Sequence, residues 1–145
     1  MNTLQALIDE RDITQVLVRF AHAVDSKDYA ALAYVYSPDV TFNYGDGEQS
    51  GFDAIVNLTR HHLDLCGATQ HLLGSISVIV DGDRAESSSY VQARHQGLGE
   101  KAALFFDSNG QYRDWWERRD TGWRIVRREA TWSAHVGEPS VIGLG

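Results

Sequence analysis

The sequence predicts one α+β domain in which a long, bent antiparallel or mixed sheet wraps around three N-terminal helices. Apolar residues follow a helical period in three stretches before residue 67, and a strand-like alternation runs from residue 69 onward. The chain has 145 residues, of which 43% are hydrophobic and only 2 are proline, and this suits a single buried core. Residues 1–136 are expected to form the domain, and residues 137–145 a loose tail or an arm on a neighbouring molecule.

The helices are predicted from apolar periodicity and from residues that begin or end helices. Between Asp9 and Ser26 one helical face is apolar, with Ile13, Val16, Leu17, Phe20 and Val24. Asp28 is expected to cap a second helix that ends at Ser37-Pro38, because a residue before proline avoids helical angles. The third helix covers residues 53–66 and ends at Gly67.

The strands are predicted from alternation between turn-forming residues. A strand from Val40 to Tyr44 runs into the turn at 45–47, and a short strand at 48–50 follows. The second half of the chain is expected to hold five strands, at 69–80, 84–97, 101–106, 111–119 and 123–133. The turns that separate them are at 81–83, 97–100, 108–110 and 120–122. This order predicts an antiparallel meander.

Composition narrows the classes of function. The chain has 13 basic and 20 acidic residues, and a net charge of −7 argues against nucleic-acid binding. No apolar run approaches the ~18 residues that a membrane span needs, and no signal peptide is visible at residues 1–12, so a cytoplasmic location is expected. The single cysteine, Cys66, has no partner for an internal disulfide.

Histidines on two predicted strands are candidates for chemistry. His71 shares a strand face with Leu73, and His95 shares one with Val91, so both imidazoles are expected to point inward. Asp25 ends the first helix, where the helix dipole disfavours a carboxylate, so it either belongs to the turn or has a specific partner. A carboxylate beside an imidazole would make a general base, although spacing alone does not pair Asp25 with His71. The alternative is that these histidines are ordinary core or surface residues.

Other side chains are candidates for binding a ligand. Trp116 or Trp132 could form the wall of a cavity for a flat apolar ligand. An inward Arg127 could hold an anionic or carbonyl oxygen, and the alternative is a salt bridge on a strand face. His61 and His62 diverge by about 100° on a helix, so no metal site is expected.

Four segments, taken in order, resemble a known family. They are 21–25 (AHAVD), 38–45 (PDVTFNYG), 69–74 (TQHLLG) and 122–125 (GWRI). Over roughly residues 5–135 the chain resembles the SnoaL-like branch of the nuclear transport factor 2-like superfamily, and it is similar to scytalone dehydratase within that branch. The resemblance implies a cone-shaped barrel with a deep apolar pocket between the helices and the curved sheet. It also implies a homodimer or homotrimer.

The resemblance implies a catalytic site as well. The scytalone dehydratase pattern has an aspartate late in the first helix, a tyrosine on the first strand and histidines on two successive long strands. The matching residues here are Asp25, Tyr44, His71 and His95, and Asp114 and Trp116 occupy the region of a later strand that carries polar residues in the dehydratase.

The expected function is that of a lyase, without cofactor or metal, that removes water from a hydrophobic cyclic hydroxy-carbonyl compound. His71 would take a proton next to the carbonyl, Asp25 would orient His71, and Tyr44 would polarise the carbonyl. His95 would assist departure of the hydroxyl, although which of the two histidines is the base stays open. The substrate would contact Trp116, Asp114, Arg127 and Trp132.

Two alternatives share this pocket. One is a non-catalytic module that binds a small molecule, and the other is an isomerase or cyclase, because proton removal beside a carbonyl begins those reactions too.

Overall fold

The computed structural model describes residues 3–145 and contains helices and a single six-stranded sheet. The elements are α1 (Thr3–Asp25), a 3-10 helix (Tyr29–Tyr34), β1 (Tyr36–Asn43), β2 (Gln49–Ser50), α2 (Phe52–Leu63), β3 (Cys66–Asp81), β4 (Arg84–Gly97), a 3-10 helix (Gly99–Lys101), β5 (Phe105–Arg119), β6 (Gly122–Gly137) and a 3-10 helix (Pro139–Ile142). The strand order is β2-β1-β6-β5-β4-β3. β1 and β6 are parallel and the other neighbours antiparallel, so the α+β prediction with a mixed sheet is confirmed.

The core lies between the helices and one face of the sheet. Along β4 every second residue from Ala85 to Gly97 is buried, and the residues between them are mostly exposed. The apolar face of α1, which includes Ile13, Leu17 and Phe20, packs in the same core. None of the helices in the described part of the chain combines the length and apolar character needed to cross a bilayer.

The second predicted helix is shorter and tighter than expected. It is a 3-10 helix that ends at Tyr34, and β1 already begins at Tyr36. Pro38 therefore lies inside a strand, at the irregular stretch where the register with β6 shifts between Tyr36 and Thr41. Proline lacks the N–H that a regular ladder needs, and it is tolerated here because the pairing is irregular at this point.

The predicted turn at 108–110 is wrong. β5 runs unbroken from Phe105 to Arg119 and pairs with β4 from Phe105 to Glu117, while residues 101–104 are the end of the preceding 3-10 helix and the turn after it. Gly110 serves close packing instead, because a Cβ atom there would lie 2.2 Å from the carbonyl oxygen of Thr131.

A β-bulge in β6 reverses the expected alternation of side chains. Trp115 pairs with Arg127 and Trp116 pairs with Ile125, so Val126 is the extra residue. One inserted residue moves the following side chains to the opposite face of a sheet. Arg128 therefore enters the core in place of Arg127.

Residues 137–145 do not form the expected loose tail. Val141 and Ile142, in the last 3-10 helix, are buried against Cys66 and Phe106. The Glu138 side chain caps this helix by accepting a hydrogen bond from the backbone N–H of Ser140. The segment is packed onto its own chain because Val141 and Ile142 cover an apolar patch.

Candidate active site

A cavity of about 400 Å³ opens among β4, β5, β6, α2 and the C-terminal segment. Its apolar wall contains the rings of Phe20, Phe106, Tyr112 and Trp132. The polar groups in its wall include Tyr44, His62, His95, Ser108 and His135. A mostly apolar cavity with a few polar groups is typical of small-molecule sites.

Asp25 and His71 form a hydrogen-bonded pair next to this cavity. The Asp25 Oδ1 atom lies 2.7 Å from His71 Nδ1 and accepts a 3.0 Å hydrogen bond from the Thr69 hydroxyl. The His71 backbone N–H also donates to Asp25 Oδ2, at 2.9 Å. An ionised carboxylate only accepts hydrogen bonds, so Nδ1 carries the proton and Nε2 of the neutral ring has a free lone pair.

The Asp25 carboxylate is held in its charged form. Burial by itself raises the pKa of Asp25, but the hydrogen bonds from the His71 side chain and backbone outweigh burial, and the net pKa is lowered. Asp25 is therefore negative at neutral pH, where it fixes the His71 tautomer and would stabilise a protonated His71 ring.

The His71 side chain is only 8% exposed and is not itself part of the cavity wall. Its ring meets two wall residues edge-on, with centroids 6.1 Å from Phe20 and 5.8 Å from His95. The Asp25–His71 pair thus adjoins the cavity and is largely shielded from bulk water.

His95 is a wall residue that is also buried. Its Nδ1 atom lies 2.8 Å from the Phe106 carbonyl oxygen, so Nδ1 donates and Nε2 is left as an acceptor. Burial lowers the pKa of His95, and the nearby His71 and His62 lower it further, although the bond to Phe106 opposes them. His95 is therefore neutral at pH 7.

Tyr44 and Trp132 also reach the cavity. The Tyr44 ring lies 6.2 Å from that of Tyr112 and 6.1 Å from that of Phe42. Trp132 is 41% exposed and packs edge-on against Tyr112. Both side chains can touch a ligand without any movement of the backbone.

The structure places Asp114, Trp116 and Arg127 away from the cavity wall. Asp114 is fully buried in an ion pair with Arg128, and the Trp116 indole donates to the Ser87 hydroxyl at 2.9 Å. Because of the bulge, Arg127 points to the other face, where its partners are Glu48, Glu129 and Thr41. None of the three side chains is placed to contact a ligand in the cavity.

Two histidines of the cavity wall were not expected there. The His62 Nδ1 atom lies 2.7 Å from the Ile142 carbonyl oxygen. The sequence did indicate an inward position for His62, because it lies one turn after Leu58 on the apolar face of α2. The last strand was predicted to end at residue 133, but β6 extends to Gly137 and includes His135. The alternation pattern therefore gave no prediction for the His135 side chain. Within residues 3–145 no group of three or more histidine, cysteine or acidic side chains is arranged to hold a metal ion.

Comparison with known proteins identifies the family. The SnoaL-like domain model matches residues 5–129, which is most of the chain. The chain belongs to the SnoaL-like family. An uncharacterised protein of Mycobacterium tuberculosis, Rv2910c, is 29% identical over 133 residues, which are 90% of each chain.

Solved structures share the SnoaL-like fold across nearly the whole domain. A candidate scytalone dehydratase from Novosphingobium aromaticivorans has a TM-score of 0.84 and 23% identity, over 93% of this chain and 91% of that one. The hexachlorocyclohexane dehydrochlorinase LinA-type3 from Novosphingobium barchaimii has a TM-score of 0.81 and 15% identity, over 99% of both chains. At these identities the likeness shows a shared fold.

Proposed function

We propose that this SnoaL-like protein is a cofactor-independent lyase that removes water from a hydrophobic, cyclic hydroxy-carbonyl compound. The observation that carries the proposal is the 2.7 Å contact between Asp25 and His71 Nδ1 at the edge of an apolar cavity. This contact leaves the His71 Nε2 atom as a base, and the partly buried Asp25 compensates the positive charge that protonation would create.

The proposed reaction has two steps. The His71 Nε2 atom takes a proton from the carbon next to the carbonyl, and the electrons of that C–H bond move to the carbonyl oxygen, which accepts a hydrogen bond from Tyr44. The enolate then re-forms its carbonyl as the C–O bond at the neighbouring carbon breaks, and protonated His71 returns the proton to the leaving hydroxyl. Neutral His95 accepts a hydrogen bond from that hydroxyl at Nε2 and so holds its oxygen in position to receive the proton from His71. The products are water and an unsaturated carbonyl compound.

The rate enhancement expected from His71 and Tyr44 is ordinary for a general base and an oxyanion donor. A positioned general base and an oxyanion donor each contribute about 10²–10³-fold. The names of the similar structures support an elimination, because a dehydratase removes water and a dehydrochlorinase removes hydrogen chloride. Both reactions can begin with removal of a proton from carbon.

Turnover of a panel of cyclic β-hydroxyketones tests this proposal. Loss of one water is followed by mass spectrometry in the wild type, His71→Gln and Asp25→Asn. We expect His71→Gln to abolish turnover and Asp25→Asn to lower kcat by about 10²-fold or more, with folding checked by circular dichroism. The matched controls are His61→Gln and Asp64→Asn, which change an exposed histidine and an exposed carboxylate at the C-terminal end of α2.

Three results would contradict the proposal. Unchanged turnover in His71→Gln removes that residue from the mechanism. A product of unchanged mass but different structure indicates an isomerase or cyclase. Ligands that bind and are recovered intact, with no turnover across the panel, indicate a non-catalytic binding module.

We also propose that the protein works in the cytoplasm as a homodimer or homotrimer whose partner molecule is a hydrophobic small-molecule substrate, with neither nucleic acid nor membrane. The net charge of −7 supports the part of this proposal that concerns nucleic acid. Light scattering at micromolar concentration should give two or three times 16.2 kDa. A mass of one chain would contradict the oligomer.

A further inference from the structure

We propose that His62 determines the specificity of the cavity by accepting, at Nε2, a hydrogen bond from a second substrate hydroxyl, distinct from the hydroxyl that leaves. The ligand class is then an uncharged ring compound with a hydroxyl remote from its reacting carbonyl. The inference rests on the proposed function as far as the reaction is concerned, but the binding of such a ligand can be measured without turnover.

The orientation of the His62 ring decides which of its two nitrogens is left for a ligand. The Nδ1 atom lies 2.7 Å from the Ile142 carbonyl oxygen, which can only accept, so Nδ1 carries a proton and donates it. In the neutral ring Nε2 is then an acceptor. Ile142 is buried together with Val141, Cys66 and Phe106. The His62 ring is therefore held by a packed segment of backbone.

The His62 Nε2 atom is open to a ligand. Within residues 3–145 the only hydrogen bond of this half-buried side chain is the one that Nδ1 makes. Among the side chains of these residues that are not exposed, only Ser37 and Ser89 have a buried polar atom without a partner. The unpaired Nε2 atom of His62 is therefore reached by solvent, and His62 lines the cavity together with Leu58 of the preceding turn.

His95 provides a second acceptor of the same kind. Its Nδ1 atom donates to the Phe106 carbonyl oxygen, which leaves Nε2 as the acceptor. His62 lies on α2 and His95 on β4, so the two acceptors of the cavity wall come from different elements. A ligand with two suitably spaced O–H groups satisfies both of them. A ligand that lacks one of these groups leaves an imidazole nitrogen unpaired, and this is a strong basis for discrimination.

The charge of the cavity wall disfavours acidic ligands. Among the described residues that line the cavity none is lysine or arginine, and the one acidic residue is Asp46. The buried Arg128 guanidinium lies outside the wall and is neutralised by Asp114. A carboxylate or phosphate on the ligand would lose water without gaining a counter-charge. Hydroxyl groups are therefore the polar groups that this cavity can bind.

Calorimetric titration with naphthalene, the two naphthols and the naphthalenediols tests the role of His62. At about pH 8 an ordinary imidazole is neutral, and none of these probes can lose water by the proposed reaction. The variants are His62→Asn and His62→Gln, because an asparagine amide can replace Nδ1 and a glutamine amide can replace Nε2. The matched control is His61→Asn, which changes the neighbouring exposed histidine, outside the cavity wall.

We expect at least one diol to bind the wild type about five- to tenfold more tightly than either naphthol, because its second hydroxyl donates to His62. His62→Asn should remove this gain, His62→Gln should keep part of it, and His61→Asn should keep all of it. Naphthalene has no hydroxyl and should bind all four proteins equally, which checks that the cavity keeps its shape. The acid 6-hydroxy-2-naphthoate should bind more weakly than 2-naphthol.

A merely structural role for the bond to Ile142 predicts the reverse order, in which His62→Asn keeps the gain and His62→Gln loses it, and that result would overturn the proposal. So would a wild type that binds no diol more tightly than the naphthols, or a loss of naphthalene binding in both His62 variants. A gain that depends on His62, without any dehydration in the hydroxyketone panel, would leave this role standing and refute the proposed reaction. Dehydration together with a gain that is insensitive to His62 would refute only this role.

Discussion

Asp25 and Asp114 are two carboxylates with different kinds of partner for their charge. Asp25 accepts hydrogen bonds from Thr69 and from the side chain and backbone of His71. Asp114 has Arg128 as its ion-pair partner, and both of these side chains are completely buried. Breaking a buried ion pair leaves one buried charge without compensation. Replacing both charged side chains by apolar ones leaves no uncompensated charge.

Arg128→Met is therefore expected to lower the free energy of unfolding by about 3–5 kcal/mol, because Asp114 stays buried without a counter-charge. The double variant Asp114→Leu/Arg128→Met should recover most of that loss. Urea unfolding followed by tryptophan fluorescence measures both. Arg94→Met is the matched control, since Arg94 pairs with Asp107 at the surface and its loss should change stability little. A double variant as unstable as Arg128→Met would contradict the argument.

The strands show where packing departs from a simple alternation. β6 carries one extra residue opposite Trp115 and Trp116 and another opposite Asn109 and Gly110. The second bulge lies beside Gly110, where the backbone of β6 approaches too closely for a side chain. These bulges set which residues of β6 enter the core.

Gly110→Ala is expected to destabilise the protein by about 1–3 kcal/mol, because its Cβ would lie 2.2 Å from a backbone oxygen. Gly74→Ala is the matched control, since Gly74 is also in a strand and has open space where its Cβ would be. Thermal unfolding of the two variants measures the difference. Equal stability of both would show that the sheet relaxes at Gly110 without strain.

The helices, the strands and the candidate site residues differ in how well the sequence could predict them. Helical spacing and strand alternation predicted α1, α2 and the long strands, and the resemblance pointed to Asp25, Tyr44, His71 and His95. Arg128 was missed because alternation counts residues in twos, and the bulge at Val126 adds one. A bulge depends on the fit between neighbouring strands, which local sequence does not record.

The acid stability of the whole molecule depends on groups in different parts of the core. Burial, with help from His71 and His62, lowers the pKa of His95 below its ordinary value of 6.5, and the pKa of Asp25 is also lowered. At the far end of α1, hydrogen bonds from Arg118 outweigh burial and lower the pKa of Asp9 to about 2. In each case the unfolded chain binds protons more readily than the native state does.

The free energy of unfolding should therefore fall as the pH drops below about 6.5, where the unfolded chain gains a proton on His95 that the native state resists. A second decline should begin near pH 4, as the carboxyls of Asp9 and Asp25 take up protons in the unfolded chain. His95→Gln should flatten the first decline, while His22→Gln, a change at an exposed position on α1, should leave it intact. Urea unfolding between pH 7 and 5 makes the comparison, and an equal slope in His95→Gln would contradict it.

The packed C-terminal segment has a practical consequence for anyone who prepares the protein. Ile142 and Leu144 are part of the cavity wall, and the Ile142 carbonyl holds His62. An affinity tag fused after Gly145 would begin one residue from that wall and could compete with a ligand. A tag joined to the amino end is the better choice for ligand screening, because none of residues 3–19 of α1 lines the cavity.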